Sequence, residues 1–268
     1  CVFYKPSMRP RSFQFSLELI GELIKIVISQ PLSFLQVDTA RLYITEKRLQ
    51  EAKKEGDIKH MNDSDYSIKN TVRHNLESLD PKIAFARPMA LLGPLLGVDS
   101  VVFNHPNLKV LIIGPRTEAE ILLYISKGFS PSNIYGLDLI TYSEFIVAGD
   151  MHNIPFSDNF FDVVVFSWVL GYSCNQKLAV KEARRVSKPN GLICIGEQWD
   201  PMPVDQVSKE MERIRGYSLK GTVTNSASQL IELVKPFYEQ IIFSNEPLEQ
   251  DKNRVGLITC IARTTTKN

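Results

Sequence analysis

The sequence predicts an α/β domain over residues 105–268, built on a mostly parallel sheet with an antiparallel C-terminal strand. Apolar runs of strand length recur, helical stretches lie between several of them, and the last two runs are joined without a helix. The strand-like runs are KVLIIG, NIYGLDLI, FDVVVFSWVL, GLICIGE, EQIIFS and GLITCIA. The helical stretches are Glu118 to Lys127, Gln176 to Ser187 and Ser226 to Val234. Such alternation is typical of a parallel sheet covered on both faces.

The composition of the strands agrees with this arrangement. They are almost continuously apolar, as expected where helices bury both faces of a sheet. The last two strands are connected by the polar stretch NEPLEQDKNRV, which has no helical pattern. Because a parallel return needs a longer crossover, this pair is expected to be antiparallel.

Residues 1–104 are predicted to form a helical region that is a candidate cap over the sheet. A first helix is predicted by apolar residues at helical spacing and a terminating proline: Ile20, Leu23, Ile24, Val27, Ile28 and Pro31. A second helix is expected over Thr39 to Lys59, either with an apolar stripe (Leu42, Ile44, Leu49) or as a solvated charged helix. The stretch HMNDSDYS is a predicted linker, and LDPKIAFARPMALLGPLLGVDSV predicts short helices packed against a larger body.

Composition and charge exclude several classes of function. The net charge of +1 gives no reason to expect a nucleic-acid partner. The cysteines show no metal-ligand spacing and the histidines are scattered, so no metal site is predicted. The most apolar segment, LELIGELIKIVI, is interrupted by Glu18, Glu22 and Lys25, so no membrane span is expected. Cys194 and Cys260 are interpreted as buried free thiols, which favours a cytoplasmic location.

The stretch VLIIGPRTEAE, which begins at Val110, ends the first strand of this sheet and opens a helix. Gly114 allows the backbone to pass close to a ligand. Thr117 and Glu120 match a T-x-x-E capping box, and Glu118 adds a second acid to the first helical turn. This acidic start disfavours a phosphate-bearing ligand such as a nicotinamide dinucleotide. The stretch is therefore either a turn for a ligand without phosphate or a plain capped helix, and only the first interpretation gives Arg116 a role.

Asp138 follows the second strand, roughly two dozen positions after Gly114. In open parallel sheets, ligands bind beyond the carboxyl ends of the strands, and an acid at about this offset can accept hydrogen bonds from ribose hydroxyls. Asp138 and the adjoining Leu139 are therefore candidate cofactor-binding residues, although an isolated aspartate after a strand can also be a turn residue.

The stretch GDMHNIPFSDNFFD, Gly149 to Asp162, resembles the G-D-x-x-x-L-P-F-x-D-x-x-F-D signature of class I S-adenosylmethionine-dependent methyltransferases of the small-molecule type. Ile154 stands for the usual leucine. The resemblance implies a Rossmann-like fold in which Asp150 accepts a hydrogen bond from the adenine amino group and the Met151 backbone faces the adenine ring. It extends over roughly Lys109 to Arg263, and it includes EARRVSKPNGLICIGE as the family's helix, turn and fifth strand.

The same resemblance places the end of FDVVVFSWVLGYS beside the cofactor's methyl group and the acceptor. Ser167, Trp168 and Tyr172 are the matching positions, and Trp168 is equally well explained by packing. The first motif departs from the family's D/E-x-G-x-G-x-G pattern, because Ile112, Gly114, Arg116 and Glu118 stand for the acid and the three glycines. Asp138 and Asp150 are only a dozen positions apart, too close for the usual helix between them. The candidate cofactor-binding residues are Gly114, Pro115, Arg116, Glu118, Asp138, Leu139, Asp150, Met151, Ser167 and Trp168.

The expected function is methyl transfer from S-adenosylmethionine to a small-molecule acceptor, a sugar or a lipid-linked precursor. The cofactor carries the reactive group and the protein mainly orients the partners. An oxygen or nitrogen acceptor also needs a general base, for which His152, Tyr172 and Glu197 are candidates. The alternative is a non-catalytic relative that kept the fold as a binding or partner protein. The sequence leaves the oligomeric state open.

Overall fold

The computed structural model describes residues 17–61, 66–80, 87–202, 206, 209–210, 212–213, 224 and 226–266. Parts of the predicted linker after His60 and of the stretch after Leu79 lie outside these residues. The N-terminal elements are α1 (Leu17–Ser29), a 3₁₀ helix (Pro31–Gln36), α2 (Asp38–Glu55), β1 (Lys59–His60), α3 (Tyr66–Glu77), α4 (Arg87–Leu96) and α5 (Asp99–Val102). The first predicted helix is confirmed, with Pro31 following the end of α1. The second is present but ends at Glu55 instead of Lys59, because Gly56 caps α2 in the left-handed conformation and Lys59 belongs to β1.

The remaining elements alternate as predicted. They are β2 (Val110–Ile113), α6 (Glu118–Ser126), β3 (Ile134–Asp138), β4 (Ile140–Thr141), β5 (Ile146–Ala148), β6 (Phe161–Ser167), α7 (Gln176–Val186), β7 (Ser187–Trp199), α8 (Ala227–Val234), β8 (Tyr238–Asn245) and β9 (Gly256–Thr264). The buried face of α2 differs from the predicted stripe. It consists of Arg41, Thr45, Leu49 and Ala52. Of the predicted stripe, Leu49 is buried and Ile44 is partly buried against the core, whereas Leu42 is only half-buried.

Seven of these strands form one sheet in the order β5-β3-β2-β6-β7-β9-β8. The pairs from β5 to β7 are parallel, whereas β9 runs antiparallel to both β7 and β8. The predicted fold class and the antiparallel C-terminal pair are therefore confirmed. The last strand of the chain lies between β7 and β8 rather than at the edge.

The sequence did not predict strand β5. It is three residues long and pairs in parallel with Gly136 to Asp138 of β3. To run parallel to β3, the chain must return from the end of β3 to the start of β5, a distance of only three strand residues. The short connection through β4 covers this distance, so no crossover helix is needed. β4 pairs antiparallel with β1, so the N-terminal region joins the chain beside this connection.

Two apolar layers sandwich the sheet. Alternate residues of each central strand point to opposite faces, as the two-residue strand period requires. On β2, Ile112 packs in the layer that contains α4, α5 and α6, while Leu111 packs in the layer of α7 and α8. The short helices expected in the N-terminal region, α4 and α5, thus share a hydrophobic core with the sheet.

Candidate active site

The predicted site residues follow the carboxyl ends of the parallel strands. Gly114 comes after β2, Asp138 ends β3, Asp150 follows β5, Ser167 ends β6 and Glu197 lies near the end of β7. Adjacent parallel strands bring these positions to one edge of the sheet; for example, Asp138 pairs in register with Ala148, and Ser167 with Gly196. This is the edge at which open α/β sheets bind ligands.

Gly114 has a positive φ of 79°, and its backbone N–H donates to the Leu137 carbonyl at 2.8 Å. A Cβ at this position would lie 2.5 Å from the Cβ of Val169, so only glycine fits. The group that closely approaches Gly114 is the side chain of Val169, in the loop after β6. The glycine is therefore required for packing within the chain itself.

The predicted capping box is wrong. Thr117 is the N-cap of α6, but its side chain makes no capping hydrogen bond, and the backbone N–H of Glu118 donates instead to the Tyr142 hydroxyl at 3.2 Å. The Glu120 carboxylate accepts from Ser167 Oγ at 2.7 Å. Burial raises the pKa of Glu120 to about 7, although the Ser167 hydrogen bond works in the opposite direction. Tertiary contacts therefore replace the local cap.

Glu118, at the position of the family's third glycine, is fully buried and has a partner from the N-terminal region. Arg48 of α2 places Nε 3.0 Å from Oε2 of Glu118 and Nη2 3.6 Å from the exposed Glu144 carboxylate. Burial raises the pKa of Glu118, whereas Ser143 and Arg48 lower it in part. A carboxylate thus fills the start of α6, where a plain glycine motif would leave room.

Asp138 is held by three donors. Its Oδ1 accepts from Asn75 Nδ2 at 3.0 Å and from the Ile140 N–H at 3.3 Å, and its Oδ2 accepts from the Arg116 N–H at 3.0 Å. Burial raises its pKa, opposed by the charge of Arg116 and by the backbone N–H groups. Arg116 itself adopts a positive φ of 49°. Leu139 is tied to the N-terminal region, since its carbonyl accepts from the Met61 N–H at 2.9 Å.

Asp150, His152 and Ser173 form a chain of hydrogen bonds. Asp150 Oδ1 lies 2.7 Å from His152 Nδ1 and accepts from the His152 backbone N–H at 3.0 Å, while His152 Nε2 lies 2.6 Å from Ser173 Oγ. Burial by itself would raise the pKa of Asp150, but the His152 contacts outweigh it and lower the pKa. Ser173 is fully buried, so this arrangement orients Asp150 and offers no accessible nucleophile. Asp150 keeps 22% of its side chain exposed.

Three further candidates, Trp168, Tyr172 and Glu197, lie in the loop after β6 and near the end of β7. Tyr172 stacks on His74 of α3 with ring centroids 5.6 Å apart, and its hydroxyl lies 3.4 Å from His74 Nε2. The Glu197 carboxylate accepts from the Gly171 N–H at 3.0 Å, and burial raises its pKa to about 7. Trp168 has a positive φ of 53° and packs its ring against Gly196.

The N-terminal region therefore contributes residues that local sequence patterns do not reveal. Arg48, Asn75 and His74 reach the site from α2 and α3, far away in the chain. Ser173 and Glu120 were also missed as partners. The prediction of a cap over the sheet drew attention to residues 1–104, but it did not identify Arg48, Asn75 or His74.

The residues around Asp150 leave a polar group available to an adenosyl ligand, whereas the residues around Asp138 and Gly114 are already engaged within the chain. On the adenine side, Asp150 is oriented and partly exposed, with Met151 half-buried beside it. The indole N–H of Trp168 is buried without a hydrogen-bond partner among the described residues, a donor that a ligand can satisfy. On the ribose and amino-acid side, Asn75 and Val169 occupy the space around Asp138 and Gly114.

Two cavities, of about 680 and 610 Å³, lie away from these residues. One is lined by Asp158 and Arg185 and the other by Pro31 and Lys127.

The sheet order, the single antiparallel strand and the acids after β3 and β5 define a Rossmann-like fold of the class I methyltransferase type. A family model described as a methyltransferase domain matches residues 119–195. The chain is 41% identical over 56 residues to a ubiquinone/menaquinone biosynthesis C-methyltransferase of Burkholderia cenocepacia, which covers 20% of this chain and 23% of that protein. The chain thus spans about a quarter of the length of the curated relatives it matches.

Solved structures agree on the fold. One is the Burkholderia thailandensis 1,6-didemethyltoxoflavin-N1-methyltransferase with bound 1,6-didemethyltoxoflavin and S-adenosylhomocysteine, which is 13% identical with a TM-score of 0.51, covering 78% of this chain and 95% of that one. Another is a chain from the complex of the Haloferax volcanii Trm112 methyltransferase activator with a methyltransferase, 14% identical with a TM-score of 0.51, covering 70% and 94%. The predicted resemblance to class I methyltransferases is confirmed.

Proposed function

We propose that this protein binds S-adenosylmethionine and transfers its methyl group to a small-molecule acceptor. The observation that carries the proposal is the placement of Asp138 and Asp150, the two acids of the family pattern, at the carboxyl edge of the sheet within a matched methyltransferase domain. When bound, the cofactor supplies an activated methyl group on a sulfonium. The protein's own task is to bind, orient and exclude water.

The cofactor-binding residues divide by position. Asp150 accepts a hydrogen bond from the adenine amino group, and the Met151 backbone faces the ring. Asp138 and Leu139 serve the ribose. The amino-acid end meets the residues after β2 and β6, which are Gly114, Pro115, Arg116, Glu118, Ser167 and Trp168. Binding in this manner requires Asn75 to release Asp138, because a carboxylate that already accepts three hydrogen bonds has little capacity left.

Glu197 is the strongest of the three candidate bases. Its pKa of about 7 makes it able to exchange a proton near neutral pH, and it lies at the carboxyl edge. His152 has both ring nitrogens engaged, by Asp150 and Ser173, which favours a positioning role on the adenine side. Tyr172 stacks on His74 of α3, and we assign it to the lining of the acceptor space.

The names of the relatives support a choice between the acceptor classes. The curated proteins act in ubiquinone and menaquinone biosynthesis according to their names, and quinones of that kind carry a long lipid tail. Of the two acceptor classes considered, a sugar and a lipid-linked precursor, this favours the lipid-linked one. The buried free thiols of Cys194 and Cys260 fit the cytoplasmic location that we also propose.

Isothermal titration with S-adenosylhomocysteine tests cofactor binding, and transfer of a labelled methyl group to extracted lipids or sugars tests the reaction. Measurable binding by the wild type, weakened by Asp150→Ala and left intact by Asp158→Ala, is the expected result. Asp158 is a matched control because it belongs to the same signature but forms an exposed ion pair with Arg185. Absence of binding at millimolar ligand contradicts the proposal.

A non-catalytic relative is the second candidate, and one specific observation favours it. Val169 fills the approach to Gly114, and Asn75 occupies Asp138, so the chain's own groups take part of the expected ligand space. Such a protein would be folded and stable yet bind neither S-adenosylmethionine nor S-adenosylhomocysteine. The same titration, combined with a cooperative thermal transition, separates the two candidates.

A further inference from the structure

A buried hydrogen bond joins α6 to the end of β6. Ser167 Oγ lies 2.7 Å from both carboxylate oxygens of Glu120, and both residues are buried. Ile113 pairs in register with Phe166, so the residues that follow on the two strands, Gly114 and Ser167, are neighbours at the carboxyl edge of the sheet. The Glu120 carboxylate therefore lies next to the residues to which we assign the amino-acid end of the cofactor.

Glu120 has no cationic partner among the described residues. Its carboxylate accepts from Ser167, and no ion pair to it is formed within that part of the chain. The neighbouring acid Glu118, by contrast, has the Arg48 guanidinium beside it. A buried carboxylate without a compensating cation is unfavourable, which is why such groups are usually paired. Glu120 should therefore attract a positively charged group that reaches the end of β6.

The other titratable side chains close to Glu120 contribute no charge near neutral pH. Tyr124 lies one turn further along α6, and Cys194 lies on β7. Burial raises the pKa of both, so the phenol and the thiol stay neutral. Ile112, which stands at the acid position of the family's first motif, packs in the same layer as α6. Glu120 is thus the acid that the described residues of this layer place beside the end of β6.

We propose that Glu120 is a specificity-determining residue, which makes the cofactor site prefer a positively charged sulfonium to a neutral thioether. This inference rests on the proposed function. S-adenosylmethionine and S-adenosylhomocysteine share the ammonium and the carboxylate, but only the first carries a sulfonium. A buried carboxylate discriminates between them because Coulomb interactions are weakly screened in a protein interior. The preference separates cofactor from product, since methyl transfer removes the positive charge.

The protonation of Glu120 should be linked to the charge of the ligand. A nearby cation favours the ionised form of a carboxyl group, whereas a neutral thioether does not. Burial raises the pKa of Glu120 to about 7, so the carboxyl group of the free protein is mostly protonated at pH 6 and mostly ionised at pH 8. The preference for the charged ligand should therefore be about fivefold weaker at pH 6 than at pH 8.

Titration calorimetry with sinefungin and with S-adenosylhomocysteine tests the inference through the ratio of the two affinities. In sinefungin, a carbon that bears a protonated amine replaces the methylated sulfur, so the positive charge is kept. A unit charge within about 10 Å, at an effective dielectric constant of about 20, changes the affinity for a cation about tenfold or more. Glu120→Gln keeps the acceptor for Ser167 and should lower the ratio about tenfold at pH 8.

Control variants separate the charge of Glu120 from other effects. Glu120→Asp keeps the charge and should retain most of the ratio, and the exposed Glu239→Gln should leave the ratio unchanged. Glu197, whose pKa burial also raises to about 7, follows Ile195 and Gly196 on β7 and points to the opposite layer. The pH dependence of the ratio should therefore persist in Glu197→Gln. This last variant and the wild-type pH profile test the inference even if Glu120→Gln does not fold, which its thermal transition reports.

Three results would overturn this inference alone. The first is an equal loss of affinity for both ligands in Glu120→Gln, and the second is a wild-type ratio that does not change between pH 6 and pH 8. The third is a pH dependence that disappears in Glu197→Gln, which would assign the preference to that residue. Wild type that binds neither ligand would overturn the proposed function together with this inference, so the two failures are distinguishable.

Discussion

The side-chain amide of Asn75, on α3, donates a hydrogen bond of 3.0 Å to the Asp138 carboxylate at the end of β3. This contact joins the N-terminal region to the position at which the family pattern expects a ribose. It makes the two regions interdependent, because the same carboxylate cannot serve Asn75 and a ligand hydroxyl through the same lone pair. The first prediction follows from this competition.

Asn75→Ala should tighten S-adenosylhomocysteine binding while destabilising the unliganded protein by about 1–3 kcal/mol, since a buried acceptor loses a donor. Titration calorimetry and urea unfolding measure the two effects. Asn107→Ala is the matched control, as its amide donates to Asn104 at the exposed surface and should change neither. Weaker ligand binding in Asn75→Ala would mean that Asn75 helps to hold the ligand.

Arg116 is predicted to pair with the carboxylate of the cofactor's amino-acid end. Such a charge-assisted contact contributes about 1.5–3 kcal/mol, so Arg116→Ala should weaken S-adenosylhomocysteine binding roughly ten- to a hundredfold. A decarboxylated analogue should lose much less. The exposed Arg254→Ala serves as control. Equal losses for both ligands would refute the pairing.

Substitution of Asp138 and of Asp150 should have different effects on the stability of the unliganded protein. Asp150→Ala should lower affinity by about 1.5–3 kcal/mol and leave stability within about 1 kcal/mol, because its carboxylate is partly exposed. Asp138→Ala should also reduce stability by about 1–3 kcal/mol, because it leaves three donors without their acceptor. Thermal midpoints of the unliganded variants distinguish them, and equal midpoints would contradict the difference.

Removing only one partner of the ion pair between Arg48 and Glu118 should lower the stability more than neutralising both. Arg48→Ala leaves a buried carboxylate uncompensated, which should destabilise the protein by about 1–3 kcal/mol, reduced from the cost in a fully buried pair because Arg48 is 41% exposed. Adding Glu118→Gln should restore much of the loss. Urea unfolding of both variants measures this, and a double variant no more stable than Arg48→Ala would exclude the ion pair as the cause.

Stability should fall as the pH rises towards neutral and beyond. Burial raises the pKa of Glu120 to about 7, above its unfolded value of about 4.3, so the folded state binds the proton more tightly. The resulting stabilisation is complete below the unfolded pKa and is lost as pH rises through about 7, a change of about 4 kcal/mol. Glu120→Gln should remove part of this dependence in urea unfolding from pH 5 to 8, the remainder coming from Glu197, whose pKa burial also raises to about 7, whereas the exposed Glu239→Gln should leave it unchanged. An unchanged slope in Glu120→Gln would assign the effect to another group.

The sequence by itself determined the longer strands, the helices between them and the positions of the two acids. These features depend on local periodicity: an apolar run such as VLII predicts a strand that is buried on both faces, as the structure shows. The signature from Gly149 to Asp162 is also local, so Asp150 was identified without the fold. Strand β5 was missed because three residues carry too little pattern and two of them are exposed.

Only the tertiary structure decided what these residues contact. Thr117 and Glu120 match a capping box in sequence. In the structure, however, Ser167 Oγ donates a buried hydrogen bond to the Glu120 carboxylate, which replaces the local capping hydrogen bond. Asn75 of α3 meets Asp138 although 63 positions separate them in the chain, and β1 pairs with β4 in the same part of the structure. Such partners are set by chain packing between distant segments, and the free energy of that packing has no signature in the local sequence.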